Sequence, residues 1–440
     1  MKTTTMKMSL GSLVVCFAFG AWADGATVSD VTVRQRWPWS RLVDIDYTLA
    51  CDPTQRVDIA VNAYNGSEAL ALPLSALSGD LYNVKQGFRR IVLDPTQTAY
   101  TNDPLTQFSV SVDATVPLYM IVDLTKAAGT VGQVIYLGES DLASGAYGAV
   151  ATNFVSGVGS IAWMGLTNEV AYMTDKLVMR RVRAGAFTMG GESDITGAGT
   201  TNVTLTHDFY VGVFEVTQRQ WELIKGNRPS YYTNLTYYAA RPVEQVSYND
   251  IRGASSQGGG GWPTNSRIYA QSFLGKLRAK TGISGFDLPT AAQAEYACRA
   301  GTTTFYHDGI VMAVPTGADA ESNAQINALG RYRNNGGGYQ ATQNVSASAA
   351  TTTVGNYRPN AWGVFDTHGN VYEWCLDWYS IQPSGGTDPS GELTNAGGYR
   401  TLRGGGYQSN ASTARSARRL DRAPVTTGSD YGFRLVITLP

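Results

Sequence analysis

Between Asn360 and Trp378 the chain reads Asn-Ala-Trp-Gly-Val-Phe-Asp-Thr-His-Gly-Asn-Val-Tyr-Glu-Trp-Cys-Leu-Asp-Trp. Three tryptophans, a tyrosine and a phenylalanine in so short a stretch must bury a large area and fix a core. Asp366, His368, Asn370, Glu373 and Asp377 lie among them. A carboxylate beside apolar surface has to be paired, hydrogen-bonded or metal-bound. Asp366-x-x-Gly369-Asn370-x-x-Glu373 sets two hard oxygen ligands around a Gly-Asn turn, and the carbonyls of Gly369 and Val371 could complete an oxygen cage suited to calcium. The alternative is plainer: Asp366 caps a turn and Glu373 pairs with one of the arginines downstream.

At 440 residues the chain is long enough for two domains. Residues 27–115 alternate with period two. Val43, Ile45, Tyr47 and Leu49 face one way, and Asp44 and Asp46 face the other, where solvation is their expected role. Val57, Ile59 and Val61 repeat the pattern, as do Phe108, Val110 and Val112, with turn residues between the runs. Short strands at this spacing predict an all-β sandwich, immunoglobulin-like in layout, over residues 24–125. Residues 126–175 read as a linker or extension, Gly/Ala/Ser-rich from 140 to 165. The remainder, 176–440, carries three predicted helices. Thr217-Gln-Arg-Gln220 is a capping box with Val216 and Trp221 as its staple, and Gly226 is the stop. Ala270, Phe273, Leu274 and Leu277 mark an amphipathic helix ended by Gly282, and Pro289-Thr290 opens a third that runs to Gly301. Glycine-rich and polar loops are expected at 258–261, 334–338 and 344–353.

Lys2 and Lys7, the apolar run Leu10–Gly20 and Ala21-Trp-Ala23 read as a signal peptide cut after Ala23, which makes the protein secreted or periplasmic. Val15 before Cys16 argues against a lipoprotein. No further apolar run is long enough to span a bilayer. A net charge of −1 with 16% charged residues gives no support to nucleic-acid or anionic-membrane binding. Cys298 and Cys375 are candidates for a disulfide in an oxidising compartment, with two buried thiols as the alternative.

Seven further blocks accompany the aromatic stretch: Phe187-Thr-Met-Gly190, Glu215-Val-Thr-Gln218, Arg241-Pro-Val-Glu-Gln-Val-Ser247, Leu288-Pro-Thr290, Glu295-Tyr-Ala-Cys-Arg-Ala-Gly301, Arg403-Gly-Gly405 and Gly432-Phe-Arg434. Together, over roughly residues 176–440, the region resembles the formylglycine-generating enzyme (sulfatase-modifying factor) family. The resemblance implies an α+β domain, the complex variant of the C-type lectin-like fold. It implies calcium at Asp366, Gly369, Val371 and Glu373, and a second calcium site upstream near Asn334 that the divergent loop leaves unassigned.

The family's oxidase chemistry needs two cysteines in a C-terminal arm, five positions apart, which hold soft copper(I) as thiolates. Aligned on Arg403-Gly404-Gly405, those positions are Ser409 and Ala414, and the turn serine is Gly406. A hydroxyl and a methyl cannot replace two thiolates, so copper is not expected. The histidines His207, His307 and His368 lie far apart in sequence, and no Gly-x-Ser-x-Gly elbow or P-loop is present. His368 is expected to be structural. Arg403, Arg415, Arg418, Arg419, Arg422 and Arg434 crowd the C-terminus, with Asp366, Glu373 and Asp377 as expected partners. The reading is of a secreted, catalytically lapsed binding module for a protein, peptide or glycan. The alternative is an oxidoreductase-type enzyme, acting on protein or small thiols through a different, cysteine-free site. Convergence of carboxylates and histidine beside Ser409, Ala414 and Tyr407 favours the enzyme, and aromatic or arginine filling favours the binder.

Overall fold

The computed structural model describes residues 26–36, 39–51, 57–81, 84–100, 105–115, 117–138, 142, 148, 150–152, 161–191, 199–233, 237–311, 324–335, 350–393 and 397–439. The expected leader, residues 1–23, lies outside them, as do most of 140–165 and much of the loops at 334–338 and 344–353. The chain divides into two compact units, Met1–Ser144 with Ala279–Ser284 and Leu439–Pro440, and Gly145–Arg278 with Gly285–Thr438.

The first unit is mostly β. Strands β1 (Thr27–Gln35), β2 (Val43–Ala50), β3 (Asp58–Asn65), β4 (Glu68–Leu70), β5 (Leu77–Gly79), β6 (Gly87–Leu93) and β7 (Phe108–Thr115) form two antiparallel sheets, ordered β1-β2-β6-β5 and β4-β3-β7. Val43, Ile45, Tyr47 and Leu49 of one sheet share a hydrophobic core with Ile59, Val110 and Val112 of the other. Each large side chain buried this way contributes roughly 1.5–3 kcal/mol. Strands β8 (Tyr119–Asp123) and β9 (Val134–Leu137) pair antiparallel.

Asp44 departs from expectation. It is buried, because arginines cover it. Arg36 donates to Oδ1 from Nε at 2.9 Å and Nη2 at 2.7 Å, and Arg34 donates to Oδ2 at 3.2 Å. The Arg36 hydrogen bonds hold its carboxyl below the usual range, against the pull of burial. Period two sets which face a residue occupies, and the long arginines on that face decide whether it stays wet.

In the second unit β10 (Val150–Thr152) pairs with β11 (Ile161–Trp163). Strands β12 (Lys176–Val182), β15 (Phe209–Gly212), β16 (Phe286–Asp287) and β22 (Val436–Thr438) lie side by side in the order β16-β22-β15-β12. A second sheet joins β13 (Gly185–Gly190), β14 (Thr200–Leu205) and β18 (Gly386–Thr387). A third is ordered β20-β19-β17-β21, from β17 (Tyr372–Trp378), β19 (Arg400–Arg403), β20 (Leu420–Arg422) and β21 (Tyr431–Gly432).

Among the described residues four α-helices pack among the strands: α1 (Gln218–Lys225), α2 (Tyr248–Arg252), α3 (Phe273–Thr281) and α4 (Ala291–Arg299). The capping boxes at Thr217/Gln220 and Thr290/Gln293 both form, and Gly226 ends α1 at φ 76°. Two ends differ from the sequence reading. Ala270 is exposed and precedes α3, and α4 stops at Arg299, because Ala300 takes the left-handed conformation at φ 45° before Gly301. Trp221 of α1 stacks on Phe273 of α3 at 5.0 Å, and Phe433 of the Gly-Phe-Arg block meets both edge-on.

Candidate functional site

The aromatic stretch forms an irregular turn that runs into β17. Asp366 (φ 54°), Gly369 (φ 86°) and Asn370 (φ 59°) all adopt the left-handed region. At Gly369 only glycine fits, since a Cβ would lie 2.0 Å from the Arg331 carbonyl oxygen. Beneath this turn three buried carboxylates, Glu215, Asp366 and Glu373, surround Arg434. Arg434 reaches Glu373 Oε1 from Nη2 at 2.7 Å and from Nε at 3.0 Å, and donates to the carbonyls of Gly212, Val213 and Phe365. Glu215 accepts from Asn370 Nδ2 at 2.7 Å and Val371 N at 3.1 Å. Asp366 accepts from Gly355 N at 2.6 Å, and its Oδ1 is buried with no partner.

One guanidinium faces three buried carboxylates, and their mutual repulsion adds to the cost of burial. Burial, with Asp366 and Glu373 adding repulsion, pushes Glu215 well above the usual carboxylate range. Burial also pushes Asp366 up to about 6. Of the expected calcium ligands, Glu373 pairs with Arg434 and Asp366 keeps one buried oxygen without a partner.

A fourth buried acid ties further motif blocks together. Glu295 of α4 accepts from Gly190 N at 2.9 Å, Arg299 Nε at 2.8 Å and Arg403 Nη2 at 2.8 Å. Arg403 therefore takes Glu295, and none of the acids expected for it. Asp377 instead accepts from Ala291 N at 2.7 Å at the α4 N-terminus, where burial still holds it up at about 6. Arg415 is fully buried, its guanidinium 5.1 Å from the Phe305 ring centroid and its Nε donating to Ser412 O. Arg419 serves the carbonyls of Ser380 and Ile381, and Arg422 serves the Tyr431 hydroxyl at 2.7 Å.

Cys298 and Cys375 are separate buried free thiols, so the candidate disulfide is not formed. Cys298 Sγ points to the Thr367 carbonyl at 3.7 Å and lies 3.9 Å from His368 Nε2, and Cys375 points to the Glu373 carbonyl at 3.8 Å. Each has its own acceptor, and burial raises both thiols. The fold also stacks His307 on His368, with ring centroids 4.8 Å apart. His368 Nε2 accepts from His307 N at 3.1 Å, which leaves Nδ1 to donate to the Ala414 carbonyl at 2.8 Å. His368 is therefore a neutral strut under the arm.

The arm leaves β19 through Gly404 and Gly405, both at positive φ. A Cβ on Gly405 would lie 2.9 Å from Ala414 Cα, so the arm folds back on itself there. Ser409 closes the turn. Its Oγ accepts from Gly406 N at 2.9 Å and donates to the Tyr372 hydroxyl at 3.0 Å. Ala414 is buried among Tyr306, Ile326, Leu329, Tyr332 and Ala411. Gly406 faces Asp430, a carboxyl that burial pushes up to about 6.

Beside the turn, the Tyr407 hydroxyl lies 2.7 Å from that of Tyr232, 3.0 Å from Ser429 Oγ and 2.5 Å from Gln408 Nε2. Tyr231 packs edge-on against Tyr232 at 5.0 Å and is itself 70% exposed. Glu244 holds this tyrosine pair by accepting from both backbone N–H groups, at 3.0 and 2.9 Å, and burial pushes its carboxyl up to about 7. The surroundings of the two family cysteine positions are thus aromatic and hydroxyl-bearing, with His368 under Ala414 and the Asp430 carboxyl at the edge, beside Gly406. Tyr232 and Ser429 carry no motif of their own in the sequence, because their partner Tyr407 lies 175 and 22 residues away.

The family model described as "Sulfatase-modifying factor enzyme 1-like domain" matches residues 167–439. The chain is 27% identical over 281 residues to Chaperone protein LppX of Paenibacillus barcinonensis, covering 60% of this chain and 90% of that one. It is 33% identical over 160 residues to the formylglycine-generating enzyme of Streptomyces coelicolor, covering 34% of this chain and less than half, 46%, of the enzyme. Among solved structures, Treponema denticola variable protein 1 aligns with a TM-score of 0.45 at 24% identity, covering 60% of this chain and 95% of that one. Over most of its second unit, this chain belongs to the sulfatase-modifying factor family.

Proposed function

We propose that this chain is a secreted or periplasmic binding module of the family in which the copper-oxidase site has lapsed. In this reading an immunoglobulin-like sandwich precedes a domain of the C-type lectin-like variant. Function resides in the site rather than in the fold. The observation that carries the reading is the arm itself. Where two thiolates would hold copper(I), Ser409 spends its hydroxyl on Tyr372 and Gly406, and Ala414 packs a methyl into an aromatic cluster. Neither is a soft ligand.

Tyr231, Tyr232, Gln408 and Ser429, bonded to the hydroxyl of the buried Tyr407, give the adjoining surface the composition of a recognition patch, rigid aromatic rings beside short hydrogen-bonding groups. The ligand proposed is an extended polypeptide, with a glycan as the other class. The relationship to a protein named as a chaperone supports the former. Among the described residues no helix is long and apolar enough to cross a membrane.

Arrays of extended peptides and of glycans, probed with the purified chain and with Tyr232→Ala, test this. Selective peptide binding that weakens at least tenfold in the variant is expected. Absence of binding to either class, or binding indifferent to Tyr232, contradicts it. The second reading, a cysteine-free enzyme, is favoured by Asp430, a carboxyl at about 6 beside Gly406, and by His368, which donates to the Ala414 carbonyl. Asp430→Asn abolishing a thiol-oxidising activity would establish it.

A further inference from the structure

Apart from the arm, the second unit holds a cleft of about 290 Å³ beside the N-terminus of α4, strands β16 and β22, and the loop after β18. Its floor is apolar, with Leu288, Leu376 and Val436 buried. Trp262 lines one side, and its indole Nε1 donates to the Ser390 carbonyl at 2.9 Å, which fixes the plane of the ring. The lining also carries polar groups that suit hydroxyls. Gln293 Nε2 donates to Thr438 Oγ1 at 2.9 Å, and Asp388 accepts from Thr206 N at 2.8 Å and from the Thr206 hydroxyl.

The charges in the cleft are unevenly matched. Asp287 is saturated: Arg252 donates to both its oxygens, at 2.8 and 2.9 Å, and Leu288 N donates to Oδ1 at 2.8 Å. Arg252 is wholly buried behind it. Arg278 Nη2 stands 3.7 Å from Asp287 Oδ2, beyond hydrogen-bond reach, while its Nε donates to the Phe286 carbonyl at 2.8 Å. Two guanidinium groups thus share the Asp287 carboxylate, and the one that lines the cleft is the less well served; the second carboxylate of the lining, Asp388, is engaged by Thr206. Burial lowers the Arg278 pKa despite the nearby acid, which agrees with a cation short of countercharge.

We propose that this cleft binds an acidic saccharide, with a sugar ring against Trp262 and its carboxylate on Arg278. An apolar floor, a fixed indole and a polar lining match a ring with one apolar face and hydroxyls at its edge. The space lies at the small end of ligand pockets, roughly 300–1,000 Å³, so the ligand is about one or two rings. A planar guanidinium pairs with a carboxylate through two parallel hydrogen bonds.

Ligand-detected NMR titrations of the full chain with D-glucuronate, D-glucose and benzoate test the proposal. Glucuronate is expected to bind in the millimolar range or tighter. Arg278→Gln should weaken it at least tenfold, and Trp262→Phe severalfold, with circular dichroism confirming that both variants fold. Tyr407→Phe, in the arm, should leave this affinity unchanged, so failure here is separable from failure of the arm reading. Equal binding of glucose removes the role given to Arg278. Benzoate binding without glucuronate removes the saccharide. Absence of glucuronate binding, or Arg278→Gln with wild-type affinity, overturns the proposal.

Discussion

The second unit treats its polar groups in two ways. Around Glu295, Glu215 and Glu373 the acids are buried and bonded to arginines, amides and backbone, and residues from five of the motif blocks and the aromatic stretch satisfy one another. Along the turn of the arm, residues 404–414, the polar contacts are neutral, among hydroxyls, an amide and backbone, around a packed alanine. Removing one partner of a buried ion pair strands a charge and is expensive, whereas exchanging neutral hydroxyls is cheap. The motifs that carry the family resemblance are therefore mainly the wiring of the scaffold. None of that wiring passes through the two cysteine positions, so the scaffold stands whether or not sulfur is present in the arm.

The sharpest way to break this contrast is Glu295→Ala, which strands Arg299 and Arg403. A loss of about 3–5 kcal/mol in urea unfolding is expected; a loss below about 2 kcal/mol would put Glu295 on a par with the arm. Next comes pH. Asp366 and Asp377 are held up at about 6 and Glu244 at about 7. A carboxyl whose folded pKa is raised stabilises the fold below its unfolded value, near 4, and that stability is lost as pH rises through the folded value. The melting temperature of the second unit should therefore be higher at pH 5 than at pH 8, and the reverse order would mean that these groups are ionised throughout. Asp44 in the first unit has the opposite sign: its contribution is present above about pH 4 and is lost as pH falls through its lowered folded value, so it stays level across this window.

In the arm, Ser409→Ala and Tyr407→Phe should each cost about 1–2 kcal/mol, the scale of a few neutral hydrogen bonds partly replaced by water. A cost near that of Glu295→Ala would erase the contrast. The smallest effect concerns calcium. With Glu373 held by Arg434, chelator or added calcium should leave the melting temperature unchanged, and a shift would mean that calcium takes Glu373 from the arginine.

Legibility in the sequence followed locality. The period-two strands of the first unit and the capping boxes at Thr217 and Thr290 depend on neighbours a few residues apart, and were readable. The order of the motif blocks located the second unit, but the blocks did not say which side chains meet. Glu295 and Arg403 are 108 residues apart, and Tyr232 and Tyr407 are 175 apart. Asp44 was misread because its burial comes from long arginines, which no alternation pattern records. The histidines looked scattered, yet tertiary packing stacks His307 on His368 beneath Ala414. What sequence did offer at the arm was chemical: serine and alanine at positions where the family's reaction requires sulfur.

That substitution is tested most directly by supplying the purified wild-type chain with copper(I), oxygen and a Cys-x-Pro-x-Arg peptide, and following aldehyde formation by mass spectrometry. The account predicts an unmodified cysteine in the recovered peptide. Catalytic accumulation of formylglycine would contradict it.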